Sequence, residues 1–287
     1  MAWFPDVSDD RIAPSVKRSL LPWLALFGLF QPLEARGEDV TAKALVDRVL
    51  ETRAVSSGFV LRAKLSVSDS VSGTREAAQI RIKGSRSDQG MRLLYQVLWP
   101  PAHKGETLYL ESSDDGGVTG YLFAPTDKTQ PVTPSLLGTP FLESDLTIED
   151  LAGDFWHWPK PFLTGKEIVR GIPCMVVELR APPESRSSYS KIRAWISYEK
   201  SLPMQLLKFG RDGNPLKRIV VTKLARNGEL WAPVITSVQA VRQTRETTLE
   251  LSGGDYGIDI PASDFSLEEI KKFALTPGSP LPHRSKE

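Results

Sequence analysis

The sequence predicts a mainly β protein, a large antiparallel meander with a few short helices, and three observations carry that prediction. From Phe59 onward apolar and polar residues alternate at period two over run after run, and turn signals rich in Gly, Asn and Asp separate the runs. One apolar stretch, Ser135–Leu151 (SLLGTPFLESDLTIEDL), breaks the alternation with a short capped helix. A sheet interrupted by a greasy insert of this kind is expected to have a pocket to cover. No alternation of strand and long helix is present, which excludes a doubly wound sheet.

The N-terminus comes first in chain order. Lys17 and Arg18 precede the apolar run Leu20–Phe30, and the small-residue site Ala35-Arg36-Gly37 follows it. This is the tripartite pattern of a secretory signal peptide, here with a long leader ahead of it. A buried helix would also be apolar, but Pro22 sits inside the run and no amphipathic stripe is present. A spanning helix needs about 20 apolar residues, more than the run supplies. The expected organisation is therefore a signal peptide over 1–37, cleaved near Gly37, one domain over 38–275, and a flexible tail over 276–287 that is rich in Pro, Ser and charge.

Lys and Arg number 36 against 35 acids, and no basic block interleaves with aromatics, so nucleic acid is not an expected partner. Cys174 is the one cysteine of the chain and permits no internal disulfide; a buried apolar thiol is the expected state.

From Glu38 the spacing of Ala42, Leu45, Val46, Val49 and Leu50 predicts an amphipathic helix ending before Ser56-Ser57-Gly58. Strands follow at Phe59–Val67, around Ile80 and Ile82, and at Leu93–Trp99. Further strands are predicted at 106–111, 118–123, 165–169, 174–180, 191–198, 204–210, 216–225, 230–241 and 247–252. Turn signals such as Asp114-Asp115-Gly116-Gly117 and Arg211-Asp212-Gly213-Asn214 separate them. Two short helices carry start signals. Thr147 is an N-cap with Asp150 at N3 and Leu146 and Leu151 as a staple. Ser266 and Glu269 form a capping box, stapled by Phe265 and Ile270.

At these residues the chain resembles a known group. The order of leader, amphipathic helix, long sheet, the insert SLLGTPFLESDLTIEDL, the segment KIRAWISYEKSLPMQLLKFGRDGN and the closing IDIPASDFSLEEI is similar to that of the outer-membrane lipoprotein-sorting protein family, itself similar to the periplasmic lipoprotein carriers. The resemblance implies an incomplete, half-open antiparallel β-barrel whose concave face is covered by the N-terminal and short helices, with acyl chains held between. It implies a monomeric periplasmic protein whose partners are the acyl chains of lipoproteins or lipids, an inner-membrane transporter and an outer-membrane acceptor. Glu38, not a cysteine, stands directly after Gly37, which favours a soluble shuttle over a membrane-tethered acceptor.

The residues themselves support a binding role independently. Alternating strands with too few helices to fill their inner face leave room for a ligand. Burying an acyl chain gains roughly 0.8 kcal/mol per CH₂, on the order of 10 kcal/mol for a chain of about 16 carbons before ordering costs. Leu136, Leu137, Phe141 and Leu142, broken up by Gly138, Thr139 and Pro140, are the candidate cover; a loop pinned into a minor core would look the same. Tyr95, Val97, Tyr121, Phe123 and Trp195 are the candidate walls, although a one-residue register shift moves any such set to the other face. The cluster Phe155-Trp156-His157-Trp158-Pro159 suits either the cavity mouth or packing of the insert onto the sheet, with packing expected.

Chemistry is not signalled. His103, His157 and His283 lie at no metal-ligand spacing, and no GxSxG, CxxC, HExxH or phosphate-binding loop occurs. No cofactor, metal or catalytic residue is expected. Two other readings stay open here: a periplasmic partner of an inner-membrane lipid exporter, and an envelope scaffold without a ligand.

Overall fold

The strands predicted by alternation, with one that it does not predict, pair into one continuous antiparallel sheet of thirteen described strands in a computed structural model of the chain. The structure describes residues 40–54, 58–87, 90–113, 117–126, 128–227 and 230–275, all within the compact unit Asp39–Glu287. The expected signal peptide, the expected tail and most of the turn at Asp114–Gly117 lie outside the described residues.

Six strands run outward in order: β1 (Gly58–Asp69), β2 (Arg75–Ser87), β3 (Gly90–Trp99), β4 (Thr107–Ser113), β5 (Val118–Ala124) and β6 (Lys128–Pro131). Residues 132–161, which hold the predicted insert 135–151 and extend it at both ends, then carry the chain across to the other edge of the sheet and are called the insert below. From there seven strands lead back: β7 (Phe162–Val169), β8 (Ile172–Arg180), β9 (Tyr189–Ser197), β10 (Leu202–Gly210), β11 (Pro215–Asn227), β12 (Leu230–Ala240) and β13 (Arg245–Tyr256). The predicted single meander is thus two meanders fused where β13 pairs with β1, as in Leu65 opposite Leu249. The outermost strands β6 and β7 do not pair with each other, so the barrel is half-open.

The seam between the two meanders carries a bulge between Arg62 and Ala63. Beside it, paired with Leu61, lies Gly254 at φ 152°, where a Cβ would stand 2.3 Å from the Val60 carbonyl oxygen. Only glycine fits that approach, and bulges of this kind add local twist, which suits a sheet that must curl.

Helix α1 (Ala42–Ala54) starts at Thr41, whose Oγ1 accepts from the Ala44 N–H at 3.1 Å. Its apolar stripe of Ala42, Leu45, Val46 and Val49 is buried against Val177, Leu179, Ile192, Ala194 and Ile196 of β8 and β9. That contact defines the inner face of the sheet. On the same face Phe141, Leu146 and Ile148 of the insert join Leu65, Ile80, Val97, Leu108 and Leu110 in one buried cluster. Helix α3 (Leu267–Leu275) packs on the outer face. Its Ile270 and Ala274, with Phe265, cover Leu94 and Phe123, neighbours in sequence of the inward Leu93 and Leu122. Of the capping box expected at Ser266, one half is present: its Oγ accepts from the Glu269 N–H at 3.3 Å, while its own N–H goes to the Ser263 carbonyl.

Candidate functional site

Strand parity decides what the inner face presents. Odd positions of β1 and β3, even positions of β2, and Leu206, Ile219 and Leu251 point inward, and all are apolar where they meet. At one end of this face the insert fills the space. At the other end it does not, and a cavity of about 600 Å³ remains. Phe59, Leu61, Ile82, Met91, Leu93 and Tyr95 form one wall, and Met204, Leu206, Ile219, Val221 and Trp231 the opposite one. Val49 and Thr52 of α1 close it from above with Leu151 and Trp156 of the insert. No Asp, Glu, Lys, Arg or His stands among the described lining residues. Such a space is large enough for a drug-sized apolar group and offers no charge to a ligand.

The insert that bounds the cavity is anchored by charge. Helix α2 (Ile148–Ala152) begins with a full capping box: Thr147 Oγ1 accepts from the Asp150 N–H at 3.3 Å, and Asp150 Oδ2 accepts from the Thr147 N–H at 2.8 Å. Gly153, at φ 66°, ends the helix in the left-handed conformation. Asp150 also reaches the sheet. Its Oδ1 lies 2.6 Å from Lys208 Nζ and accepts from the Tyr189 hydroxyl at 2.8 Å, while Oδ2 takes Lys217 Nζ. Lys208 and Lys217 are directly opposed across β10 and β11. Like charges in that position repel, so the shared carboxylate is what allows both to be buried. The Lys208 ammonium further sits 4.4 Å from the Phe155 ring centroid and 4.7 Å from that of Tyr189.

Burial disfavours the Asp150 carboxylate, but Lys208 and Lys217 outweigh it and hold its pKa well below the ordinary 3.8. Burial holds the Lys208 ammonium below its ordinary 10.5, and Asp150 offsets only part of this. Next to this cluster, Glu149 accepts from the Ser188 N–H at 3.1 Å and from the Ser187 and Ser188 hydroxyls. A second anchor lies at Asp145, whose Oδ2 accepts from Thr247 Oγ1 at 2.8 Å, with Arg245 Nη2 3.5 Å from Oδ1.

Among the residues singled out in the sequence, Tyr95 is the one that lines the cavity. Its hydroxyl donates to the Leu151 carbonyl at 3.2 Å and its ring lies 5.9 Å from that of Phe141. Val97 and Phe141 are buried in the filled end, with Leu137 and Leu142 packed against them, and Leu136 is half-buried in a 3₁₀ turn. None of these lines the cavity; the insert contributes Leu151 and Trp156 instead. Tyr121, Phe123 and Trp195 are corrections of face. In β5 the inward residue is Leu122, which leaves Tyr121 exposed and Phe123 under α3. In β9 the inward residues are Ala194 and Ile196, so Trp195 packs outside with Val169, Cys174 and Val176, its indole donating to Glu167 Oε2 at 2.9 Å.

The aromatic cluster packs, as expected, with Phe155, Trp156 and Trp158 buried against α1, although Trp156 also reaches the cavity. Cys174 is buried, and that burial raises its thiol to about 11. No group of three or more His, Cys, Asp or Glu among the described residues is arranged to hold a metal.

A family model described as "Uncharacterized protein" matches residues 91–272, well over half of the chain. Among solved structures, a domain assigned to the outer membrane lipoprotein-sorting proteins, from Vibrio parahaemolyticus, is similar at TM-score 0.72 and 17% identity, covering 79% of this chain and 97% of its own. A DUF1329 family protein from Desulfovibrio piger gives 0.72 and 16%, over 80% and 98% of the two chains. A LolA superfamily protein from Nitrosomonas europaea gives 0.65 and 14%, over 80% and 99%. At these identities the likeness is one of fold. No curated protein matches the chain.

Proposed function

We propose, for a chain that belongs to the family matched over residues 91–272 and has the fold of lipoprotein-sorting domains, a carrier that performs no chemistry. It takes acyl chains of lipoproteins or other lipids into the cavity beneath α1 and hands them between membranes in the periplasm, receiving them from an inner-membrane transporter and delivering them to an outer-membrane acceptor. The observation that carries this reading is the 600 Å³ cavity without a charged lining side chain. An enzyme site needs polar groups converging on a reacting atom. An acyl chain needs only a dry wall and an opening, and its burial supplies the binding energy.

The test is native mass spectrometry with organic extraction on protein purified gently from a bacterial periplasm. Co-purifying lipid or lipoprotein, released by extraction, is the expected result. An apo mass together with no uptake of a fluorescent acyl probe would sink the reading and favour a scaffold.

A further inference from the structure

The cavity beneath α1 has a neighbour. A second cavity of about 750 Å³ adjoins it, and Met91 and Trp156 line both. Helix α1 lies between the two. Val49 and Thr52 face the first, while Lys43, Asp47 and Leu50, one helical stripe at i, i+4 and i+7, face the second. The second chamber differs in chemistry. Its lining holds three cations, Lys43, Arg86 and Lys160, and three carboxylates, Asp47, Glu51 and Asp154, where the first holds none; His157 is its remaining titratable side chain. An apolar chamber that shares two wall residues, Met91 and Trp156, with a charged vestibule matches the division of an amphiphile into chain and head.

We propose that the vestibule reads a zwitterionic head group, so that the cargo class is a lipid carrying both a phosphodiester and an ammonium. This deepens the carrier reading and rests on it. A head of a single sign meets three like charges for every three opposite ones, and like-charge juxtaposition is what discriminates against it. A zwitterion places each of its charges against the opposite sign and leaves the vestibule neutral. Both partners of the charge pair on α1 are open to a head group, as Lys43 is 77% exposed and Asp47 44%. The Lys43–Asp47 pair, 2.6 Å apart along α1, is an exposed helix contact that a head group opens at little cost.

The experiment displaces a fluorescent acyl probe from the purified protein with three palmitoyl-length competitors: lysophosphatidylethanolamine, lysophosphatidylglycerol and hexadecyltrimethylammonium. The zwitterion is expected to compete about fivefold better than either single-sign head, the worth of one or two exposed ion pairs. The double variant Lys43→Glu, Lys160→Glu should turn the preference toward the cationic head. The double variant Asp47→Lys, Glu51→Lys should turn it toward the anionic one, and all four positions are on the surface, where folding tolerates the change. Equal competition by the three heads, a wild-type preference for one sign, or swaps that leave the order unchanged would overturn the proposal while the carrier reading stands. Failure of the probe itself to bind would remove both.

Discussion

Lys208 and Lys217 face each other across β10 and β11 with Asp150 between them, so each of the three is buried only because the others are. Asp150→Asn leaves two ammonium groups opposed without a counter-charge and is expected to cost about 3–5 kcal/mol in urea unfolding. Lys208→Met should cost less, because Asp150 keeps Lys217 and the methionine fills an apolar place beside Phe155. If Lys208→Met proves the worse of the two, the shared-carboxylate account is wrong. The same site sets an acid limit. With its folded pKa depressed, Asp150 contributes all of its stability above 3.8 and loses it as pH falls through the folded value. Lys208, held low by burial, also binds its proton less well when folded, but its loss of stability sets in as pH falls below 10.5 and is no part of the step at 3.8. Stability measured against pH should therefore fall more steeply below 3.8 in the wild type than in Asp150→Asn. In the cavity, Ile219→Trp puts an indole into the empty end and should abolish uptake of an acyl probe while the far-ultraviolet spectrum stays that of a sheet. Trp195→Phe, on the outer face, should leave uptake unchanged.

At the scale of elements, the two covers of the cavity are held in different ways. The insert is tied at Asp145, Glu149 and Asp150 by charged hydrogen bonds, whereas the described contacts of α1 with the sheet are apolar packing and the Arg48 guanidinium 4.3 Å from the Tyr198 ring centroid. Cargo that enters by moving an element therefore moves α1 more cheaply than the insert. Thr41→Ala removes the cap of α1, a loss of about 0.5–2 kcal/mol to the helix, and should speed probe release in stopped-flow while Gly153→Ala, at the end of α2, lowers stability without doing so. These elements were legible to different depths. The strands announce themselves where one face is polar. β6, with the sequence Lys-Thr-Gln-Pro, has no apolar side and is a strand only by its pairing with β5, so alternation could not find it. The fusion of β1 to β13 joins residues far apart in sequence, which no local pattern records. Faces are not legible where both sides of a strand are apolar: Tyr121, Phe123 and Trp195 are bulkier than the inward Leu122, Ala194 and Ile196, and no alternation separates the two sets. The charged anchor did leave a trace, since Lys208 follows Leu206, and Lys217 precedes Ile219 and Val221, at positions whose parity is inward.

On the scale of the whole molecule, one inner face is divided between a filled end and an empty one. The cluster around Phe141, Leu146 and Ile148 completes a core that stabilises the curled sheet without any ligand, so the empty end is free to remain hydrated or to take cargo. On the carrier reading, a protein built this way needs no cargo to fold, and loading should add stability by mass action on the native state alone. With an acyl probe at about one hundred times its dissociation constant, the gain expected is about 2.7 kcal/mol. Thermal unfolding of the wild type should show the corresponding rise in Tm, and Ile219→Trp, with its cavity occupied, should show none. An equal rise in both would place the probe outside the cavity, on the exposed edges β6 and β7 or the outer face, and would break the link between this empty space and any carrier role.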